Sequence, residues 1–204
     1  MYSALLRETG SLTVEHLWLV GVAVIGACAI GIPAALFITR RAGIQKAVLG
    51  FASIAQTIPS LALFGFLLPI PIIGGIGKRT AIVALLLYAL LPVIRNTVTG
   101  IASVDPAVRE AAVAMGMTDR EVLFQVEVPL AARTILAGVR LATVTTIGTA
   151  TIAAAIGAGG LGVLIFRGIA MVDTRQILAG ALPAAVLALA ADEVFGLAEK
   201  RIAR

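Results

Sequence analysis

Few residues of this chain have the types and spacing that catalysis or metal binding requires. His16 is the sole histidine and Cys28 the sole cysteine among 204 residues. Their number excludes a histidine-dependent catalytic triad, a histidine or cysteine metal cluster and a disulfide within the chain. We therefore expect no catalytic residue, no metal and no cofactor bound by this chain itself.

One glycine pattern formally matches a nucleotide-binding motif. Gly157, Gly159 and Gly162 have the G-x-G-x-x-G spacing of dinucleotide-binding loops. Such a loop binds pyrophosphate only between a strand and a helix of a βαβ unit, and neither context is evident around these glycines. The pattern instead predicts a tight loop.

The composition indicates a membrane protein. Hydrophobic residues make up 60% of the chain, charged residues 13%, and the mean hydropathy is +1.05. Soluble chains average about 25% charged residues, so a cytosolic enzyme is excluded. The net charge of +5 would suggest nucleic acid on a soluble domain, but the positive residues flank apolar runs, so they indicate orientation in a lipid bilayer and no nucleic-acid partner.

The elements that must position any functional residue are membrane helices, because only helices satisfy their own backbone in lipid at this span length. A span needs about 20 residues, and the uncharged runs predict five. We place the spans at about 17–39, 48–68, 80–98, 138–157 and 176–196. The fold class is thus an all-α polytopic membrane protein, with residues 1–204 forming one transmembrane domain and His16 lying at a membrane interface.

The distribution of Lys and Arg predicts the orientation of the five spans. With the N-terminus outside and the C-terminus inside, the cytoplasmic side receives most of the sixteen basic residues, as the positive-inside rule requires. The outer side keeps Arg7, Lys78, Arg79, Arg167 and Arg175. The charged segment at about 100–133 is then a cytoplasmic loop.

This loop has the signals of two short helices joined by a turn. Asp105-Pro106 offers an N-cap followed by proline at the first helical position, and Gly116 predicts the end of that helix. Thr118 and Glu121 have capping-box spacing, and we expect the second helix to end before Pro129. From helical pattern alone, an ordinary connector and a docking element for another protein are equally supported.

The residues of the loop favour docking. Glu110-Ala111-Ala112, three residues, Gly116, nine residues and Val126-Glu127-Val128-Pro129 resemble the EAA loop of ABC importer permeases, with valines replacing isoleucine and leucine. The resemblance implies that this loop is a coupling helix that docks in a groove of an ATPase subunit. The residues that it assigns to coupling are Glu110, Ala111, Ala112, Gly116, Asp119 and Pro129.

Further segments look like the permease subunits of osmoprotectant uptake systems. They include Gln56-Thr-Ile-Pro-Ser-Leu-Ala-Leu63, Tyr88-Ala-Leu-Leu-Pro-Val-Ile-Arg-Asn-Thr97, Gly148-Thr-Ala-Thr151 and Ile156-Gly-Ala-Gly-Gly-Leu-Gly162. The resemblance covers about residues 15–190. It implies a type I, MetI-like importer fold in a bacterial or archaeal inner membrane, and a solute such as glycine betaine, carnitine, choline or proline betaine.

The same resemblance implies the partners. Two copies of an ATPase subunit would bind ATP and Mg, and a second permease subunit, identical or homologous, would complete the path. An extracytoplasmic binding protein would deliver the solute. Because this chain has only one Trp and two Tyr, few aromatic cages for quaternary ammonium are available to it, and we expect high-affinity selection in the binding protein.

Polar and helix-breaking residues inside the spans mark a candidate translocation path, because positions that face lipid disfavour them. Each one could equally pack helices together. The set is Gln56, Thr57, Pro59, Ser60, Asn96, Thr145, Thr146 and Thr149.

Two alternatives stay open at this point. One is a type I permease for an amino acid such as methionine, but residues 56–63 and 156–168 favour the osmoprotectant permeases. The other is a secondary transporter, for which Asp192 and Glu193 could relay protons. Their proximity to the charged C-terminus favours the cytoplasmic interface instead, and no paired charge network is evident within the spans.

Overall fold

The computed structural model describes residues 2–71 and 73–202, and this part of the chain consists of helices and turns. The α-helices in chain order are α1 (Tyr2–Ile38), α2 (Ala42–Thr57), α3 (Ser60–Leu67), α4 (Lys78–Ala102), α5 (Pro106–Ala114), α6 (Asp119–Glu121), α7 (Val128–Ala150), α8 (Gly162–Met171) and α9 (Thr174–Ile202). A π-helical segment, Val122–Glu127, joins α6 to α7, and a 3₁₀ segment, Ile152–Ile156, follows α7. The all-α fold class is confirmed.

Within the described residues, four continuous helices are long and apolar enough to cross a membrane: Ala4–Ile38, Lys78–Ala102, Asp119–Ala150 and Thr174–Ile202. The first begins well before the predicted span at 17–39. Its extra turns are held by ion pairs, Glu8 with Arg167 at 2.7 Å and Glu15 with Lys78 at 2.5 Å. An apolar run predicts only the part of a helix that lies in lipid. The more polar turns of α1 before residue 17 are therefore outside the predicted span.

The segment predicted as one span at 48–68 is two helices, α2 and α3. Pro59 has no N–H for a helical hydrogen bond, and the residue before a proline is sterically pushed out of the α region. Ile58 accordingly has extended backbone, with φ −69° and ψ 125°. The break therefore follows directly from the Ile58-Pro59 dipeptide.

Helix α4 is the centre of the fold. Along α1, Gly26 lies against Leu86 and Gly31 against Val93, so α1 and α4 run parallel. Gly100 lies against Ala131, whereas Gly138 lies against Pro92 and Asn96, so α7 runs antiparallel to α4. Because α1 and α4 are parallel, the chain must return from the end of α1 to the start of α4, and α2 and α3 form this return.

The remaining helices cover α7. Helices α8 and α9 form an antiparallel hairpin in which Gly180 lies against Leu161 and Leu164. At the turn, hydrogen bonds from the Gln176 side chain and from the backbone N–H groups of Arg175 and Gln176 hold the pKa of the Asp173 carboxyl below its usual range. Helix α9 then runs back along α7.

His16 is fully buried within the protein, and its position at the level of a membrane interface stays a prediction. Its Nε2 lies 3.1 Å from the carbonyl oxygen of Ile147, and its Nδ1 lies beside Gly160. The glycine-rich loop packs over α1 at this point: Gly160 donates its N–H to Glu15 at 3.0 Å, with a left-handed φ of +75°. The side of α1 that carries His16 is thus covered by protein.

Gly138 sets the distance between α4 and α7. A Cβ added there would lie 2.5 Å from the Cβ of Asn96 and 2.8 Å from the carbonyl oxygen of Pro92, so Gly138→Ala must push the helices apart. We expect it to destabilise the protein by about 1–3 kcal/mol and to lower the Tm measured in detergent. Gly148→Ala, on the same helix with no atom within 4 Å of the added Cβ, is the matched control, and equal Tm values would contradict this packing.

Candidate functional site

The exposed loop helix α5 forms as its sequence predicts. The Asp105 side chain accepts a hydrogen bond from the N–H of Ala107 at 2.9 Å, and Pro106 occupies the first helical position. The helix ends at Ala114, and Gly116 follows with a left-handed φ of +86°, which favours glycine. The two caps therefore define a helix of just over two turns.

The three residues of the Glu-Ala-Ala motif divide between the two faces of α5. Ala112 is 2% exposed and packs inward, whereas Glu110 and Ala111 are exposed. No described residue forms an ion pair or hydrogen bond with the Glu110 side chain. The outward face therefore presents one unpaired carboxylate beside a small side chain that permits close approach.

The second predicted loop helix begins as expected but does not end before Pro129. The capping box is confirmed, with the Glu121 carboxylate accepting from the N–H of Thr118 at 2.7 Å. The helix then continues through Val122–Glu127 into α7 as one helix, Asp119–Ala150. A proline ring clashes with the carbonyl four residues earlier, and the wider π turn makes room for it at Pro129.

Four charged side chains form a cluster behind α5, here called the Glu127 cluster: Arg40, Arg109, Asp119 and Glu127. The Glu127 side chain is 5% exposed, and it lies 3.1 Å from an Arg40 nitrogen and 3.5 Å from the Arg109 Nε. Arg40 also pairs with Asp119 at 2.8 Å. The cluster therefore joins the end of α1, the loop helix α5 and the start of the α6–α7 helix.

Asp119 is predicted for this site from the sequence, whereas Arg40, Arg109 and Glu127 are not. One signal was available: Glu127 is a charged residue between two valines, Val126 and Val128, in a segment that was expected to be helical. A carboxylate in apolar surroundings is costly to bury without partners. That pattern predicts that a basic residue from elsewhere in the chain must reach it.

The surface around α5 has the chemistry of a protein docking site. Val108, Val113 and Met115 are large apolar side chains that are 41%, 52% and 76% exposed on or just after this helix. A groove of about 770 Å³ runs along this helix, lined in part by Val113, Glu110 and Glu127. Apolar side chains next to unpaired and paired charges suit a protein partner better than a small molecule.

The polar residues predicted for the path are only partly brought together. Gln56, Thr57, Pro59 and Ser60 lie at the break between α2 and α3, where the Gln56 amide donates to the Tyr88 carbonyl at 2.9 Å. The Tyr88 hydroxyl donates to the Ile58 carbonyl in return. These bonds join the break to α4.

The other predicted path residues lie at contacts between α4 and α7 or along α7. Asn96 donates to the Pro92 carbonyl at 2.9 Å and lies against Gly138. Thr145 and Thr149 donate to carbonyls one turn back on their own helix, which is how threonine is commonly satisfied in a helix. Thr146 is 1% exposed, so in this structure it packs between helices rather than lining an open surface.

The structure also contains a network of paired charges between two predicted spans, which was not expected from the sequence. The Arg140 guanidinium on α7 makes two 2.6 Å contacts with the Asp192 carboxylate on α9, and Glu199 lies 3.5 Å away. Because α7 begins at Val128, Arg140 lies about three turns inside that helix. The network therefore holds α7 to α9. Arg140 and Asp192 both lie in predicted spans, so the expectation that the spans contain no paired charges is wrong. That expectation no longer counts against a secondary transporter.

Comparison with known proteins gives consistent results. The family described as the inner membrane component of binding-protein-dependent transport systems matches residues 27–204. The chain is 47% identical over 184 residues to the osmoprotectant import permease protein OsmW of Salmonella typhimurium, covering 89% of this chain and 86% of that protein. It is 41% identical over 198 residues to the glycine betaine/carnitine/choline transport system permease protein OpuCB of Bacillus subtilis, covering 97% and 88%.

One solved structure is similar along nearly the whole chain. A chain of the MetNI methionine ABC transporter, in an inward-facing conformation, superposes with a TM-score of 0.85 at 22% identity, covering 98% of this chain and 96% of that one. At this identity the likeness concerns the fold alone.

Proposed function

Because the chain belongs to the family of binding-protein-dependent transport system inner membrane components, we propose that it is the permease subunit of an ATP-driven ABC importer for osmoprotectants. The resemblance drawn from the EAA loop and its flanking segments is thereby confirmed. The MetI-like fold is confirmed as well. Within such an importer this chain is a transport component rather than an enzyme.

The proposed solutes are small quaternary-ammonium compounds: glycine betaine, carnitine, choline or proline betaine. Permeases named for osmoprotectants or for glycine betaine, carnitine and choline are 47% and 41% identical to this chain. The methionine transporter is 22% identical, and that lower identity supports a shared fold rather than a shared solute. The amino-acid alternative is therefore less well supported.

We infer the rest of the assembly from this family membership. Two copies of an ATPase subunit bind ATP and Mg, a second permease chain, identical or homologous, completes the path, and an extracytoplasmic binding protein delivers the solute. The assembly lies in a bacterial or archaeal inner membrane, with the N-terminus of this chain outside and α5 in the cytoplasm. The spans are α1, α2 with α3, α4, the α6–α7 helix and α9.

The observation that carries the coupling role is the attachment of the exposed helix α5 to two membrane helices through the Glu127 cluster. An ATPase that moves Glu110, Ala111 and the adjoining apolar side chains moves α5. Because Glu127 is buried between Arg109 of α5 and Arg40 at the end of α1, that displacement reaches α1 and α7 together. The Arg109–Glu127 ion pair at 3.5 Å and the buried Ala112 together attach α5 to the helices behind it, so α5 is more than a loose connector.

Affinity capture of the tagged protein from its native host in mild detergent tests this proposal, with the accompanying chains identified by mass spectrometry. We expect a phosphate-loop ATPase and a second permease chain in stoichiometric amounts. Lys200→Glu, which changes an exposed charge near the end of α9, should capture the same partners and serves as the control. A stable oligomer without an ATPase, under conditions that preserve other ABC complexes, would overturn the proposal.

A further inference from the structure

The break between α2 and α3 lies opposite the middle of α4 and is attached to it by reciprocal hydrogen bonds. Gln56 donates to the Tyr88 carbonyl, and the Tyr88 hydroxyl donates to the Ile58 carbonyl. The Tyr88 carbonyl is available because Pro92, four residues later, has no N–H to donate to it. Two prolines on two helices thus free backbone carbonyls from the helical pattern at the same level, and each accepts one side-chain hydrogen bond.

The break lies at the level of the middle of α4, where polar groups that face lipid are unfavourable. Gln56, Thr57 and Pro59 are exposed on the surface of this chain, and Tyr88 is near the midpoint of the membrane helix Lys78–Ala102. Non-helical backbone at membrane depth is tolerated only where it is buried in protein or lines a water-filled cavity. The break must therefore face a partner chain or a cavity.

One face of α4 is left uncovered beside the break. Helices α2 and α7 each pack on α4, yet among the described residues contacts between α2 and α7 are sparse at most. One face of α4 is consequently left open between them. Tyr88 and Arg95 share a face of α4, because seven residues make almost two full helical turns.

Arg95 is exposed, and no other described residue reaches it with a hydrogen bond or an ion pair. It lies about 10 Å further along α4 than Tyr88, from the helical rise. Side chains on a helix lean toward its N-terminus, which for Arg95 is the direction of Tyr88. An unpaired guanidinium at this position requires an anionic partner or water.

We propose that this open face of α4 is a solute-binding subsite with two ends, an inference that rests on the proposed function. At one end, the carbonyl-rich break and the Tyr88 ring contact the quaternary ammonium group, which has no N–H and is attracted to partial negative charge and aromatic faces. At the other end, Arg95 pairs with the carboxylate of a zwitterionic solute. Arg95 thereby favours zwitterions such as glycine betaine or carnitine over choline, which has no carboxylate.

The test is the ratio of two uptake rates in one preparation. Proteoliposomes that contain the complete transporter, with ATP inside and saturating solute-loaded binding protein outside, are assayed with labelled glycine betaine and labelled choline in parallel. Arg95→Gln should lower glycine betaine uptake roughly tenfold relative to choline uptake, the scale of one lost charge-assisted contact. Arg95→Lys should restore most of the ratio, and Arg133→Gln, another exposed arginine on the cytoplasmic side, should not change it.

The ratio separates this inference from the proposed function. If the wild-type protein shows no ATP-dependent uptake of either solute, the proposed function fails, and the subsite fails with it. If the wild-type protein transports both solutes and Arg95→Gln lowers both rates equally, Arg95 serves folding or assembly and the subsite is wrong. Unchanged rates for both solutes would overturn it too, because Arg95 would then only reach the lipid headgroups.

Discussion

Replacing Gly116 by aspartate is expected to reduce solute uptake to background while the protein still inserts and assembles with the second permease. A side chain added at Gly116 meets no atom within 4 Å, so packing inside the chain is undisturbed. The φ of +86° makes any residue with a Cβ costly there, by about 1 kcal/mol. The new charge also lies at the end of α5, on the surface we assign to the ATPase. Uptake of labelled glycine betaine by intact cells measures transport, an immunoblot of the membranes measures insertion, and affinity capture of the second permease measures assembly.

Two further variants sharpen this prediction. Gly43→Asp adds the same side chain in the first turn of α2, also with no atom within 4 Å, where a negative charge suits the helix dipole, and uptake should be normal. Glu110→Lys reverses an exposed, unpaired charge on α5 and should abolish uptake as Gly116→Asp does. Normal uptake by either correctly assembled α5 variant would contradict the docking assignment.

Replacing Glu127 by glutamine is expected to uncouple ATP hydrolysis from transport. The substitution keeps the shape of the side chain but removes the charge that Arg40 and Arg109 share. Both arginines are partly exposed and stay solvated, so we expect a stability loss of only about 1–2 kcal/mol. Helix α5 would still dock, but its displacement would no longer reach α1 and α7 fully, so the number of solutes imported per ATP hydrolysed should fall by roughly tenfold.

The measurement is the ratio of uptake to phosphate release in the same proteoliposomes. Glu121→Gln is the matched control, because Glu121 is exposed and glutamine also completes a capping box. Its ratio should equal that of the wild-type protein. If Glu127→Gln keeps the wild-type ratio, the Glu127 cluster does not transmit the displacement of α5.

Features of this fold that depend on local sequence could be predicted. The N-cap at Asp105, the capping box from Thr118 to Glu121 and the turn at Gly116 each arise from residues within four positions of one another. The apolar runs likewise predict four long apolar helices, because lipid imposes a minimum length on a span, whereas the run at 48–68 is divided between two shorter helices. The helix α5 and its two ends could therefore be predicted from the sequence, and its docking role stays a proposal.

Features that depend on contacts between distant segments could not be predicted. Glu127 and Arg40 are 87 residues apart in sequence and meet through the packing of α1 against the α6–α7 helix. Arg140 and Asp192, 52 residues apart, meet through the packing of α7 against α9. Periodicity reports which face of a helix is apolar, but it does not report which helix covers that face.

Three prolines show that the effect of a residue on its helix also depends on contacts with other segments. Pro59 ends a helix, Pro92 lies inside one, and Pro129 follows a π turn within a continuous helix. In each case the proline lacks the same N–H, and the result depends on whether a neighbouring group can accommodate the freed carbonyl. At Pro92 that group is Gln56, which donates to the Tyr88 carbonyl from another helix.

The most direct test of the central claim is ATP-driven uptake by the purified assembly of this chain with its second permease chain, its ATPase and its binding protein. The assembly is reconstituted in proteoliposomes with no ion gradient, and labelled glycine betaine is supplied outside. We predict accumulation against a concentration gradient that requires ATP and Mg inside the vesicles and stops when a non-hydrolysable ATP analogue replaces ATP. Accumulation that is independent of ATP and requires an imposed proton or sodium gradient would contradict the account.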